Sequence, residues 1–169
     1  MKVEYINPFL ASTISVFETM LNCKLVRGAP YLKNGTQPQH EVSGVIGLSG
    51  KAQGTVVLGL SREAALSAAE VMLQERPTHI NGDVTDAVGE LVNIIAGSAK
   101  AKLEHLELSV SLPTVITGKN HCVEFPTNVT PISIPFTSPW GDVCVDVGLR
   151  EIHAATNADP AAAAVAAVN

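Results

Sequence analysis

Asp86-Ala87-Val88-Gly89-Glu90-Leu91-Val92-Asn93-Ile94-Ile95-Ala96-Gly97 is the stretch on which the architecture turns. At about 100° per residue, Asp86, Glu90, Asn93 and Gly97 fall within roughly 60° of one another on a helix. Val84, Val88, Leu91 and Ile95 gather on the opposite side, flanked by Ala87, Ile94 and Ala99. That apolar side must be laid on a core, so the acids and the carboxamide face outward. The outward strip is expected to be bare, because its neighbours are Gly89, Ala96 and Ala101. Gly89 and Gly97 each cost about 1 kcal/mol relative to Ala inside a helix. A flat strip that another surface approaches closely is a reason for that cost. The strip therefore reads as a docking face carrying a Glu and an Asn.

A plainer reading stands beside this one. Asp86 lies near the helix start, where an acid opposes the helix dipole and needs no further role. Asn81, Asp83 and Thr85 belong to the same start signal, with Asn81 as the cap. An exposed Glu on a helix is commonly just solvated. Asn93 is harder to dismiss, since Asn gains little in mid-helix. Spacing alone leaves open whether Glu90 and Asn93 act together or merely face water.

Outward from this helix, Val42 to Leu48 and Gln53 to Leu60 are extended runs joined at Ser49-Gly50-Lys51, a hairpin. Their glycines predict helices packed closely on that sheet. Residues 6–26 have a helical rhythm, with Pro8 in the first turn and Arg27-Gly28 as the stop. Residues 29–41 read as a loop. Ser61 caps a helix reaching about Glu75, and the helix of the opening stretch runs from about Gly82 to Leu106. Thr114 to Thr117, Asn128 to Phe136 and Val143 to Glu151 are further extended runs, the last two joined near Pro139-Trp140-Gly141. Three helices and about five strands, with hairpins dominating, predict an α+β fold: a mainly antiparallel sheet with helices packed over it. Residues 1–153 form the domain and 154–169 an Ala-rich, mobile tail.

Composition narrows the function. The chain has 169 residues, 46% hydrophobic and 16% charged, which suits one folded domain with a real core. A net charge of −5 and scattered Lys and Arg argue against nucleic acid. Cys23, Cys122 and Cys144 are odd in number and form no C-x-x-C pair, so they read as small buried apolar residues of a reduced, cytoplasmic protein. No run approaches the ~18 apolar residues of a membrane span, and the acidic start is unlike a signal peptide. Gly44 to Lys51 lacks the spacing of a phosphate loop, and Ala52 stands where that motif needs Ser or Thr. The five histidines show no ligand pairs at helical spacing, so no protein-bound metal is expected.

The string Asp86-x3-Glu90-x2-Asn93-x3-Gly97 resembles the signature helix of the CheC/CheX phosphatases of bacterial chemotaxis. The resemblance extends to Asn7-Pro8-Phe9-Leu10, Val16 to Met20, Pro30-Tyr31-Leu32, Gly44 to Gly50, Pro113 to His121 and Ile132 to Thr137. It spans about residues 5–152. CheC-type members resemble a duplication with two such helices, whereas the first helix here has Glu18 but Leu21 in the Asn position. One site per chain favours the CheX type.

That resemblance implies a partner and a role for each residue. CheX-like proteins dephosphorylate the CheY-type response regulator, which holds the aspartyl phosphate and Mg²⁺ and presents a Lys. No cofactor of this chain's own is implied. Asn93 would orient the attacking water, and Glu90 would pair with the regulator's Lys or help orient that water. Both are thus the catalytic candidates. Asp86, Gly89, Glu90 and Gly97 would form the partner-binding strip. A carboxamide does not ionise near neutral pH, so Asn93 cannot be the base or nucleophile. The alternative is a non-catalytic adaptor that binds a regulator or a flagellar switch component. A homodimer is expected because CheX-like proteins are dimeric and because Val143 to Glu151 reads as a strand edge needing cover.

Overall fold

The computed structural model describes residues 3–33 and 40–152; the expected tail lies outside them. Its helices are α1 (Val3–Met20), α2 (Arg62–Leu73) and α3 (Gly82–Ala101). Its strands are β1 (Val26–Arg27), β2 (Tyr31–Leu32), β3 (Val42–Ser49), β4 (Ala52–Leu60), β5 (Ser109–Val110), β6 (Thr114–Thr117), β7 (Ile132–Ser138) and β8 (Gly141–Glu151). One antiparallel sheet runs β1-β7-β8-β4-β3-β5, with β2 also on β7 and β6 also on β3. The α+β expectation holds. The three strands beyond those expected are the two-residue pieces β1, β2 and β5, too short to leave a periodic signal.

Alternation along the strands assigns the two faces. Val42, Ile46 and Leu48 of β3, Val56, Leu58 and Leu60 of β4, and Val143, Val145, Val147 and Leu149 of β8 enter one core with the helices. Each such side chain contributes about 1.5–3 kcal/mol on burial. At Gly44 an added Cβ would stand 2.9 Å from Val92 Cγ1. Glycine there lets α3 lie flat on β3, as the hairpin's composition predicted.

The helix ends follow local chemistry. Asn81 Oδ1 accepts from the Val84 N–H at 3.0 Å, and Ser61 Oγ accepts from the Ala64 N–H at 3.3 Å. Both caps are those expected. α1 begins at Val3, so Pro8 is inside the helix beyond its first turn. It also stops at Met20, earlier than expected. Asn22 takes φ +50°, and the Cys23 N–H donates to the Phe17 carbonyl at 2.9 Å across the turn. Leu21 and Leu25 still bury, which produced the helical rhythm without the helix. α3 gives way after Ala101 to a 3₁₀ turn, Glu104–Leu106, and does not continue to 106.

The strand expected at an edge is internal. β8 pairs with β4 on one side and β7 on the other, so it offers no edge to a second chain. Its polar alternates are covered too: Cys144 and Asp146 are buried on the face away from the helices. There Lys33 Nζ meets Asp146 Oδ2 at 2.6 Å, with relative exposures of 6% and 0%. The Cys144 thiol donates to Asp146 Oδ1 at 3.1 Å. Phe125 and Val129 press on Gly148, where an added Cβ would lie 2.7 Å from each, and His121 Nε2 lies 2.8 Å from Ser43 Oγ. The segment after β6 thus roofs the second face.

Candidate functional site

α3 is fixed by its cap, by its apolar arc and by Gly44 beneath it. Val84, Val88, Leu91, Val92, Ile95 and Ala99 are fully buried in the core. What remains outward is Asp86 and Glu90, both exposed, and Asn93 and Gly97, both half-buried. The structure brings these four together on one face, as the helical period requires. Glu90 and Asn93 are three residues apart, so their Cβ atoms are neighbours at about 5–6 Å. Among the described residues, no side-chain hydrogen bond or ion pair holds Asp86, Glu90 or Asn93.

The expected bareness needs correction. Gly89 and Ala96 are buried and do not flank an open strip. An added Cβ at Gly89 would meet Val115 Cγ2 at 3.5 Å and Pro113 Cγ at 3.6 Å. Gly89 therefore seats α3 against Pro113 and β6, which is incompatible with direct exposure to a partner. Gly97 is open, with nothing within 4 Å of its added Cβ. Ala101 is exposed as expected. The strip is narrower than the sequence suggested and is walled on one flank by the chain from β5 to β6. That wall was not legible, because it arrives from residues well downstream of the helix.

The chemistry of the strip is spare. A carboxamide and a carboxylate one turn apart can donate and accept hydrogen bonds and can meet a positive charge. They cannot assemble a nucleophile or a base by themselves. Among the described residues there is no group of three His, Cys, Asp or Glu placed to hold a metal. The polar cluster on the roofed face is chemically quiet. Burial and the Asp146 charge push the Cys144 thiol up to about 12, so it is protonated at neutral pH. Burial lowers the nearby His40, while Asp142 and Asp146 act in the opposite sense. Cys122 is exposed, unlike Cys23 and Cys144, so the expectation of three buried cysteines fails there.

No described helix is long and apolar enough to cross a membrane. Residues 42–137, more than half the chain, match the family described as chemotaxis phosphatase CheX. The CheY-P phosphatase CheX of Thermotoga maritima is 27% identical over 123 residues, covering 71% of this chain and 79% of that protein. A CheC-like superfamily protein from Shewanella sp. PV-4 is 35% identical, with a TM-score of 0.82 over 89% of this chain and 99% of that one. The CheX–CheY–BeF₃–Mg²⁺ complex from Borrelia burgdorferi aligns with a TM-score of 0.73 at 26% identity, over 89% of this chain and 100% of the matched chain. On the matched residues and the shared fold, this chain belongs to the chemotaxis phosphatase CheX family.

Proposed function

We propose that this protein dephosphorylates the aspartyl phosphate of a CheY-type response regulator, with Asn93 as the residue that orients the attacking water. The observation that carries the reading is the pair Glu90 and Asn93, outward on a rigid helix and held by no hydrogen bond or ion pair among the described residues. The family match and the Borrelia burgdorferi complex support a regulator as the partner.

Hydrolysis here needs positioning more than a strong base. The regulator would supply the phosphoryl group, its Mg²⁺ and a Lys. Asn93 would enter that site, accepting from the water with its carbonyl oxygen or donating to it from its amide. The water oxygen bonds to phosphorus as the bond to the aspartyl oxygen breaks. Its proton passes to the phosphate, leaving the regulator's free carboxylate and inorganic phosphate. Glu90 would pair with the regulator's Lys and set the docking angle, and Asp86 would touch the rim. Half the active site is then on the substrate protein, which accounts for the spareness of this one.

A homodimer with two outward sites remains part of the proposal, on surfaces other than β8. β1 and β2, at one side of the sheet, expose Val26, Tyr31 and Leu32 by 61%, 46% and 60%. Exposed apolar side chains at a sheet edge call for cover. Light scattering at micromolar concentration gives the mass, against 17.7 kDa for one chain. A species of that mass without concentration dependence would remove the dimer.

The decisive experiment follows decay of a phosphorylated cognate regulator with and without this protein. Acceleration that depends on this protein supports the phosphatase reading. Binding of the phosphorylated regulator without acceleration would leave an adaptor instead.

A further inference from the structure

Leu112, between β5 and β6, is 88% exposed, more than any other large hydrophobic side chain among the described residues. It is not on a loose loop. The Ser111 N–H donates to the Gly47 carbonyl at 2.9 Å, and the Gly47 N–H donates to Ser111 Oγ at 2.9 Å. Ser111 Oγ in turn donates to the Leu112 carbonyl at 2.8 Å. On the other side, Pro113 packs over Gly89 of α3, near enough to touch a Cβ there at 3.6 Å. The chain is thus pinned immediately before and after a leucine that is left in water.

Its place matters as much as its exposure. Gly89 and Asn93 are one helical turn apart, so Pro113 borders the flank of α3 that carries Asn93. Further along the same helix a groove of about 490 Å³ sets Gly97, Ala101, Leu108 and Val110 beside the charged Lys100, Glu104 and Glu107. On the β5–β6 side the Glu90–Asn93 strip is thus bordered by the apolar Pro113 and Leu112, with charged side chains further along.

We propose that Leu112 is the apolar anchor of the surface that docks the phosphorylated response regulator, an inference that rests on the phosphatase reading above. The occupant is a receiver domain with an apolar patch beside its phosphorylated carboxylate. Continuity with the strip through the Pro113–Gly89 contact points to it. A polar strip beside a rigid apolar anchor also has the make-up of an interface. A second copy of this chain is the competing occupant, and the mass measurement below separates the two.

The test uses the full chain and its cognate regulator loaded with beryllofluoride and Mg²⁺. Leu112→Ala should weaken binding about tenfold, and Leu112→Asp more, while Leu112→Met keeps near-native affinity. In phosphate-release assays the half-saturating regulator concentration should rise about tenfold for Leu112→Ala with kcat retained. The unfolding midpoint should not move, since the side chain is already in water. Native affinity in Leu112→Ala and Leu112→Asp, with phosphatase activity intact in the parent, overturns the anchor alone. A parent that neither binds the regulator nor accelerates its dephosphorylation overturns the reading beneath it. A change of oligomeric mass in Leu112→Ala would reassign the residue to a contact between copies and overturn the proposal.

Discussion

The two faces of the sheet carry their charges in opposite ways. Over the helical face, Glu90 is exposed and Asn93 half-buried on α3, and neither is held by a side-chain partner among the described residues. On the roofed face, Lys33 and Asp146 are buried against each other at 2.6 Å, and the Cys144 thiol donates to the same carboxylate. A buried charge must be matched inside the fold, because desolvation is costly. An exposed one need not be, and stays available to a partner from outside. The difference separates groups that serve stability from groups free to serve recognition.

The comparison can be broken at its most buried point. Asp146→Ala leaves the Lys33 ammonium buried without its counter-charge, and should cost about 3–5 kcal/mol in urea unfolding. The protein that stays folded should retain the phosphatase activity proposed above. Loss of activity without loss of stability would place the roofed cluster in the site and dissolve the contrast.

Asn93→Ala should do the reverse. If Asn93 orients the attacking water as proposed, its loss should lower the rate by about 10²–10³, by analogy with a lost transition-state donor. Unfolding should shift by no more than about 0.5 kcal/mol, as for a side chain outside the core with no hydrogen-bond partner among the described residues. Pull-down of a beryllofluoride-loaded regulator should persist. Full activity in this variant would take Asn93 out of the mechanism.

Glu90→Ala sharpens the division within the strip. If Glu90 docks, the apparent Kd for the regulator rises at least about tenfold, with part of the turnover kept at saturation. Unchanged affinity with lost turnover would move Glu90 into the chemistry.

The smallest effect is on pH dependence. The folded thiol of Cys144 is raised from 9.0 to about 12. Above the unfolded value the unfolded chain releases that proton and the native chain keeps it. The unfolded state then binds fewer protons, so stability falls as pH rises, by about 1.4 kcal/mol per unit between the two values. Urea unfolding at pH 9.5 and 10.5 should give a steeper loss for the parent than for Cys144→Ala. Equal slopes would mean that the thiol is not shielded.

Much of this site was legible before the fold. The spacing of Asp86, Glu90, Asn93 and Gly97 needs only the helical period, and the structure keeps them on one face. Asn81 and Ser61 as caps, and the β3–β4 hairpin, also follow from nearest neighbours in the chain. Val143 to Glu151 misled because alternation of Val with Cys, Asp and Gly looks like a strand with one wet face. Its second face is instead buried beneath residues far away in sequence.

What the sequence by itself determined is therefore periodic or local: which residues α3 buries, which it presents, where helices start, and that two strands fold back at Ser49-Gly50-Lys51. These depend on the 3.6- and 2-residue repeats and on bonds between near neighbours. Only the tertiary structure decided that β8 is internal, that Gly89 is a packing seat under Pro113, that Lys33 neutralises Asp146, and that Leu112 is held beside the strip. Each of those depends on at least one contact between residues more than twenty positions apart. No local pattern encodes such pairings; they arise when the sheet order and the covering segments bring the chain back on itself.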